Sequence, residues 1–190
     1  MYPADLRSRL RAALDPSPEP VPEPGDRLAA VLVPFAETPE PSLVFARRSE
    51  DLPRHAGEIS FPGGLVDEGD ADLAATALRE ALEEIGLDPT LPEVLGALPW
   101  VHTTVSAILV VPFVGMLESL PALSASDGEI DEVLTFPVRR LLEVEDVVVW
   151  KRPDGRRWRG WTYEVEGSTI WGATGRMLHE LLEILRREMP

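Results

Sequence analysis

The sequence predicts one domain of the α+β class, with a mixed β-sheet flanked by helices as an α/β/α sandwich. First, the chain has 190 residues of which 44% are hydrophobic, which is enough for one substantial core. Second, short apolar segments with strand composition recur through residues 28–165. Third, residues 73–85 and 174–187 have helical periodicity, so helices interrupt and close the series of strands.

The first 26 residues are predicted to be separate from this domain. Residues 3–14 carry Leu6, Leu10 and Leu14 at helical spacing, which predicts a short helix. Residues 15–26 have proline at every second position from 16 to 24, and such a linker is stiff and extended. We therefore assign residues 1–26 to an N-terminal helix and Pro-rich linker that straps it to the body, and residues 27–190 to the domain.

Seven strands and a central helix are predicted within the domain. The strands are expected at residues 29–35, 42–46, 93–98, 106–116, 132–136, 147–150 and 162–165. Pro153, Asp154 and Gly155 predict the turn of a hairpin between the last two strands. Asp70 or Asp72 can cap the central helix, and Gly86 supplies its stop signal.

Charge and composition exclude several classes of function. The formal net charge of −15 argues against nucleic-acid or anionic-membrane partners, because these are bound mainly through clustered Lys and Arg. Cysteine is absent, which excludes disulfides, thiolate zinc sites and cysteine nucleophiles. The longest apolar stretch, residues 105–117, is too short to span a bilayer, and no signal peptide is evident. We expect a cytoplasmic protein with a small-molecule substrate, and the sequence indicates no oligomeric state.

Three glutamates on the central helix, Glu80, Glu83 and Glu84, are the predicted metal ligands. At about 100° per residue, Glu83 and Glu84 fall on either side of Glu80, on a face expected to lie opposite the apolar stripe. Such like charges destabilise a helix by a few tenths of a kcal/mol per pair unless cations neutralise them. A Glu-rich helix face alone is more often simply solvated. The expected apolar stripe consists of Leu73, Ala74, Ala77, Leu78, Ala81, Leu82 and Ile85.

The loop before this helix favours a metal site over a solvated face. Its paired glycines, Gly63 and Gly64, allow the backbone to approach a ligand, and a carbonyl there can join the metal shell. Residues 64–87 resemble a Nudix box, G-x5-E-x7-R-E-U-x-E-E-x-G-U with U apolar, and match every defined position from Arg79 to Leu87. Asp70 stands where the box has Glu, with eight residues rather than seven before Arg79, so Asp70 is not expected to be a ligand.

A second resemblance narrows the expected substrate. Residues 44–64 resemble the signature L-L-T-x-R-S-x-x-L-x-x-H-x-G-Q-V-x-F-P-G-G of the coenzyme A pyrophosphatase subgroup, and residues 128–138 and 170–176 also resemble that subgroup. Ala46 and Glu58 depart from the signature. Its matches are Arg48, Ser49, Leu52, His55, Gly57, Phe61 and Pro62.

These resemblances imply a Nudix fold and metal-dependent hydrolysis of coenzyme A to adenosine 3′,5′-bisphosphate and 4′-phosphopantetheine. Hard oxygen ligands, including the backbone at Gly64, suit Mg²⁺ or Mn²⁺. The expected catalytic residues are Glu80 and Glu83, and either Glu80 or Glu129 serves as the general base. A Nudix hydrolase of ADP-ribose or another nucleoside diphosphate derivative is the enzymatic alternative. The non-enzymatic alternative is a Nudix-fold sensor without catalytic activity.

A basic cluster upstream of the loop is expected to bind the substrate's phosphates, with Arg48 assigned to the 3′-phosphate of coenzyme A. The competing interpretation is that its members pair with Glu50 and Asp51 on the surface. Elsewhere, His179 is expected to be structural, whereas Trp100 and His102 are candidates to line the pocket. The cluster consists of Arg47, Arg48, Arg54 and His55.

Overall fold

The structure, a computed structural model, describes residues 6–103, 107–151, 155 and 157–188. The helices in these residues are α1 (Leu6–Ala13), α2 (Leu73–Ile85), α3 (Val138–Val144) and α4 (Gly172–Glu188). The strands are β1 (Arg27–Ala36), β2 (Ser42–Arg48), β3 (Ile59–Ser60), β4 (Gly63–Leu65), β5 (Glu93–Ala97), β6 (Val101–Thr103), β7 (Ile108–Leu117), β8 (Ile130–Pro137), β9 (Glu145–Lys151), β10 (Arg157–Val165) and β11 (Ser168–Ile170).

Within the described chain, eight strands form one mixed sheet built around the parallel pair β1 and β7. This pair stays in register from Arg27 opposite Ile108 to Ala36 opposite Leu117. Strands β2 and β4 pair antiparallel with β1, β5 and β6 pair with β7, and β3 and β8 pair with β2. A second sheet has the order β11-β10-β9. Because both faces of β1 and β7 are covered, their sequences are continuous apolar runs rather than alternating ones.

Each face of the mixed sheet carries its own hydrophobic core. On one face, α2 packs the fully buried Ala77, Ala81 and Ile85 against residues such as Ala30 and Leu32 of β1. The other core contains buried residues of α1, α4 and the second sheet. The α/β/α sandwich predicted from the sequence is confirmed. No helix of the described residues is long and apolar enough to cross a membrane.

Local signals fix both ends of α2. The Asp72 side chain accepts a hydrogen bond of 2.8 Å from the backbone N–H of Ala75, as an N-cap does. Gly86 ends the helix with φ of 66°, a left-handed conformation that glycine adopts without steric cost. Both features were predicted. They hold the glutamates of α2 at a defined position along the sheet.

The N-terminal segment packs directly on the domain. Backbone hydrogen bonds of 3.0 and 2.7 Å join Asp15 to Ala97 at the end of β5. Gly96 permits this approach, because a Cβ there would lie only 2.8 Å from the Asp15 carbonyl oxygen. In α1, Leu6 and Leu10 are buried in the core that α4 also lines. The division into residues 1–26 and 27–190 stays a prediction.

Several short elements were not predicted. Strands β3, β4, β6 and β11 have only two or three residues each, too few for an alternating pattern, and helix α3 was also missed. Strand β10 begins at Arg157 rather than at residue 162. The start of the predicted first helix, the start of the predicted strand 106–116 and the turn residues Pro153 and Asp154 lie outside the described residues.

Candidate active site

The three glutamates of α2 differ in burial. The exposed fractions of their side chains are 57% for Glu83, 17% for Glu80 and 5% for Glu84. The expectation that all three face away from the apolar stripe is wrong for Glu84. Glu84 follows Ala77 by seven residues, which is within about 20° of two full helical turns. Its side chain therefore points in the same direction as that of the buried Ala77. Leu82, assigned to the stripe from the sequence, is instead 46% exposed.

Glu84 is held from two sides. The backbone N–H of Gly63 donates a hydrogen bond of 3.1 Å to Glu84 Oε2. Arg48 Nη1 lies 3.9 Å from Glu84 Oε1, an ion pair that is too long for a hydrogen bond. Burial raises the pKa of Glu84 to about 7, although the Gly63 N–H and Arg48 act in the opposite direction. The negative charges of Glu80 and Glu129, which lie nearby, raise the pKa of Glu84 further.

Glu80 lies directly against the glycine-rich loop. A Cβ placed on Gly64 would be 2.4 Å from Glu80 Oε1, so only glycine leaves room for this carboxylate. Burial raises the pKa of Glu80, and the hydrogen bond from Arg79 opposes this shift. The carboxylate of Glu80 and the backbone of Gly64 are therefore neighbours, as the sequence predicted for ligands of one metal site.

Arg79 organises the exposed edge of the site. Its Nη1 donates to Glu80 Oε1 over 2.8 Å and to Glu83 Oε2, one helical turn away, over 3.1 Å. Its Nε and Nη2 donate to the two carboxylate oxygens of Asp70 over 2.9 and 3.1 Å. Nη2 also donates to the carbonyl of Leu65. The guanidinium thus ties the loop to the helix.

Asp70 serves as the anchor of Arg79. Besides Arg79, Thr76 donates its hydroxyl to Asp70 over 2.7 Å, and the backbone N–H of Asp67 donates over 2.9 Å. These hydrogen bonds, with that from Arg79 the strongest, hold the pKa of Asp70 well below its usual range. These donors occupy the Asp70 carboxylate, and the expectation that Asp70 is not a metal ligand stays a prediction.

The donor chemistry of the site fits a hard divalent cation. Glu80 and Glu84 are negatively charged oxygen donors, and the charge of Glu80 raises the pKa of Glu84, a repulsion that a dication would relieve. The side chains are not, however, gathered around one point. In the described part of the chain, no group of three or more His, Cys, Asp or Glu side chains is close enough to hold a metal ion. Arg79 meanwhile bonds to both Glu80 and Glu83.

The predicted basic cluster is divided between the two faces of β2. Arg48 extends toward Glu84 on the α2 side of the sheet. Arg47 donates to Glu132 over 3.0 Å and to the Ser168 hydroxyl over 2.9 Å, and Ser168 belongs to the second sheet. Successive side chains of a strand point to opposite faces, so the two arginines are separated by the sheet.

The other two basic residues lie on the loop between β2 and β3. His55 Nδ1 is 2.9 Å from Glu58 Oε2, and its backbone has a positive φ of 57°. Arg54 is exposed and forms no ion pair with another described residue. The acidic partners found for this cluster are Glu132, Glu84 and Glu58. The suggested pairing with Glu50 and Asp51 is not seen among the described residues.

A cleft of about 440 Å³ opens on the Arg47 side of this loop. It does not include the glutamates of α2, so it is distinct from the carboxylate site. Glu50 and Glu58 border it together with Arg47, which makes its lining unfavourable for an additional phosphate. The full lining is Arg47, Glu50, Ala56, Gly57, Glu58, Ile59, Gly167, Ser168, Thr169 and Trp171.

The segment before β8 closes the carboxylate site from the far side. The carbonyl of Glu129 accepts a hydrogen bond of 2.8 Å from the backbone N–H of Ser49, next to Arg48. Ser126 donates its backbone N–H to the carbonyl of Glu84 over 2.9 Å. The contribution of Ser126 was not predicted, because no motif in the sequence links this segment to α2. Glu129 lies near Glu80 and Glu84, as its effect on their pKa shows.

Two histidines lie apart from these carboxylates. His179 stacks on Trp161 with ring centroids 4.0 Å apart and contacts Glu145, which confirms its predicted structural role. His102 Nε2 lies 2.8 Å from the buried Asp26 carboxylate. Neither Trp100 nor His102 borders the cleft described above. Their predicted place in a substrate pocket stays a prediction.

Comparison with known proteins identifies the family. A family model described as "NUDIX domain" matches residues 25–163. The chain is 38% identical over 159 residues to "Uncharacterized Nudix hydrolase NudL" from Escherichia coli O7:K1 (strain IAI39 / ExPEC), covering 82% of this chain and 81% of that protein. A protein of the same name from Shigella boydii serotype 18 (strain CDC 3083-94 / BS512) has the same identity and coverage. The chain belongs to the Nudix family.

Solved structures agree at the level of the fold. The NUDIX domain of Shewanella oneidensis NrtR complexed with ADP ribose superposes with a TM-score of 0.57 and 18% identity, covering 96% of this chain and 98% of that one. The MutT protein from Methanosarcina mazei Go1 has a TM-score of 0.55 and 20% identity, covering 86% and 96%. The fold expected from the Nudix-box resemblance is thereby confirmed.

Proposed function

We propose that this protein is a divalent-metal-dependent hydrolase of the pyrophosphate bond in coenzyme A and its derivatives. The observation that carries the proposal is the position of residues 44–64. Arg48 of this segment pairs with Glu84, and Gly63 at its end donates to the same carboxylate. The segment that resembles the coenzyme A pyrophosphatase signature therefore builds part of the carboxylate site itself, where it can influence the choice of substrate.

In this proposal Glu80, Glu83, Glu84 and the backbone carbonyl of Gly64 hold Mg²⁺ or Mn²⁺. When bound, such an ion would lower the pKa of a water and would neutralise charge that develops on the phosphoryl oxygens. Asp70 and Arg79 keep the loop and the helix together, so that Gly64 stays next to Glu80. The close approach of Gly64 to Glu80 is the main structural support for including this backbone in the site.

The proposed reaction is attack of water on one phosphorus of the pyrophosphate. A new P–O bond forms, the bond to the bridging oxygen breaks, and the leaving phosphate keeps that oxygen and its electron pair. We assign proton removal from the water to Glu129, because its carboxylate makes no hydrogen bond or ion pair with another described residue. Glu80, the other candidate base, already accepts from Arg79.

The proposed substrate contacts are Arg48, Arg54 and His55, whereas Arg47 extends to the opposite face of the sheet and is left out. Arg54 is exposed in the loop that follows β2, pairs with no other described residue, and is the residue we assign to the 3′-phosphate of coenzyme A. This choice agrees with charge-assisted, bidentate recognition of phosphate by arginine. Hydrolysis at either phosphorus would release adenosine 3′,5′-bisphosphate and 4′-phosphopantetheine.

The deciding experiment is product analysis with a substrate panel. The purified protein is incubated with Mg²⁺ and, separately, coenzyme A, dephospho-coenzyme A and ADP-ribose, and products are identified by mass spectrometry. We expect coenzyme A to give the highest kcat/KM, and chelation of the metal to stop the reaction. A higher kcat/KM for ADP-ribose would contradict the proposed substrate. Binding of nucleotides without turnover of any of them would indicate a sensor.

A further inference from the structure

Arg48 differs from the other cations at the site in how its donors are used. The guanidinium of Arg79 is fully engaged, since Asp70, Glu80, Glu83 and the Leu65 carbonyl take its hydrogen bonds. The Nε of Arg48 is buried and has no hydrogen-bond partner among the described residues. Its Nη1 faces Glu84 at 3.9 Å without a hydrogen bond. Arg48 therefore brings unused donors to the carboxylates.

A buried donor without a partner is unfavourable, because folded proteins pair nearly all of their buried polar groups. An arginine guanidinium has five N–H donors in a planar fork that matches two oxygens of a phosphate. Arg48 is also placed by its neighbours, since its backbone N–H donates to the Glu58 carbonyl and its carbonyl accepts from Gly57. Its side chain thus starts from a fixed position.

We propose that Arg48 binds a non-bridging oxygen of the pyrophosphate that is hydrolysed, and not the 3′-phosphate at the other side of the ribose. This inference rests on the proposed function. The reacting phosphate has to lie at Glu80 and Glu84, and Arg48 is the residue of the basic cluster that contacts Glu84. The neighbouring Arg47 extends to the opposite face of the sheet and bonds to Glu132 and Ser168.

The arrangement also accounts for the charge at the site. Three glutamates of α2 and Glu129 would repel a pyrophosphate, and Arg79 is already shared by two of these carboxylates. The guanidinium of Arg48 supplies positive charge beside Glu84, together with donors that a phosphate can take without breaking a protein hydrogen bond. Substrate binding would satisfy the buried Nε, which has no hydrogen-bond partner in the described part of the chain.

The test compares Arg48→Ala and Arg48→Lys on substrates that all contain the pyrophosphate. We expect Arg48→Ala to lower kcat/KM by about the same factor, tenfold or more, for coenzyme A, dephospho-coenzyme A and ADP-ribose. Arg48→Lys keeps a charge beside Glu84 but lacks the planar fork, so its losses should be smaller and again uniform. The melting temperature of Arg48→Lys should match that of the wild type.

The control is Arg139→Ala on α3, whose side chain is 79% exposed and pairs only locally with Glu143 among the described residues. It should leave every kcat/KM unchanged. A loss confined to coenzyme A would assign Arg48 to the 3′-phosphate and overturn the inference. Full activity of Arg48→Lys would reduce Arg48 to a counter-charge for Glu84, which also overturns it. A wild type that hydrolyses dephospho-coenzyme A or ADP-ribose but not coenzyme A contradicts only the proposed function.

Discussion

Substitution of Gly64 by alanine should separate activity from stability. The added Cβ would lie 2.4 Å from Glu80 Oε1 and 2.7 Å from Oε2, whereas ordinary van der Waals contacts begin near 3.4 Å. Strand β4 cannot move away, because Gly64 pairs with Ala30 of β1 in the centre of the sheet. The carboxylate at the end of the flexible Glu80 side chain has to shift instead, by about 1 Å.

This shift should affect catalysis far more than folding. A misplacement of about 1 Å in a catalytic group can lower the rate by roughly a hundredfold. The backbone of Gly64 does not have a positive φ, so alanine is not strained there, and the effect on stability should stay within about 1 kcal/mol. We therefore expect Gly64→Ala to lower kcat for coenzyme A hydrolysis by about two orders of magnitude at saturating Mg²⁺, with a melting temperature close to that of the wild type.

Gly69→Ala is the matched control in the same loop. A Cβ there meets only Asp67 Oδ1 at 3.8 Å, and the residue has no positive φ, so this variant should keep full activity. Hydrolysis and thermal unfolding are measured for both variants in parallel. If Gly64→Ala retained activity within about threefold of the wild type, the contact between Gly64 and Glu80 would not be part of the catalytic geometry.

Three further predictions concern charged side chains. Glu83→Gln should lower kcat at least a hundredfold without loss of stability, because one charge leaves a crowded face, whereas Glu180→Gln on α4 should have no effect. Arg54→Ala should lower kcat/KM about tenfold for coenzyme A and little for dephospho-coenzyme A; equal losses would exclude a 3′-phosphate contact. Glu145→Gln should lower the unfolding free energy by about 2 kcal/mol at pH 7, measured by urea denaturation. Burial alone would raise the pKa of Glu145, but hydrogen bonds to its carboxylate outweigh it and lower that pKa. The difference from wild type should therefore persist above pH 4.5, the ordinary value, and shrink as the pH falls below it; a constant difference would argue against this origin.

The position of the carboxylate helix could be predicted from sequence, because its signals are local. Asp72, Gly86 and the apolar repeat define α2 within a few residues. The burial of Glu84 was predicted incorrectly, although the helical period alone contains the answer, since residues 77 and 84 share a direction. The pattern of glutamates was weighted above the geometry of the helix. Three acidic residues close together in sequence need not share one environment.

The separation of the adjacent Arg47 and Arg48 follows from strand geometry. Residues 47 and 48 directly follow the predicted strand 42–46. The structure extends β2 to Arg48, and alternation along a strand places the two side chains on opposite faces. The sequence could not predict which of the two arginines points toward the carboxylates. That depends on how β2 packs between α2 and the second sheet.

Contacts made by the backbone of the loop required the three-dimensional structure. The N–H of Gly63 reaches Glu84 only because β4 pairs with β1, a contact between residues more than 30 positions apart. The role of Asp70 as the anchor of Arg79 similarly depends on how the lengthened loop folds back on α2. No local pattern specifies such pairings.

The small residues of the core and loop determine the geometry of the carboxylate site as much as the glutamates do. Ala77 and Ala81 are fully buried between α2 and the sheet, and their short side chains let the helix lie close to β1. Gly63 has no room for a Cβ, which would lie 2.5 Å from the Ala30 carbonyl oxygen. Glu84 shares the buried side of the helix with these alanines and reaches the Gly63 N–H across the resulting short gap. Close packing transmits displacements, so a larger side chain at either alanine would move the helix and with it Glu80 and Glu84.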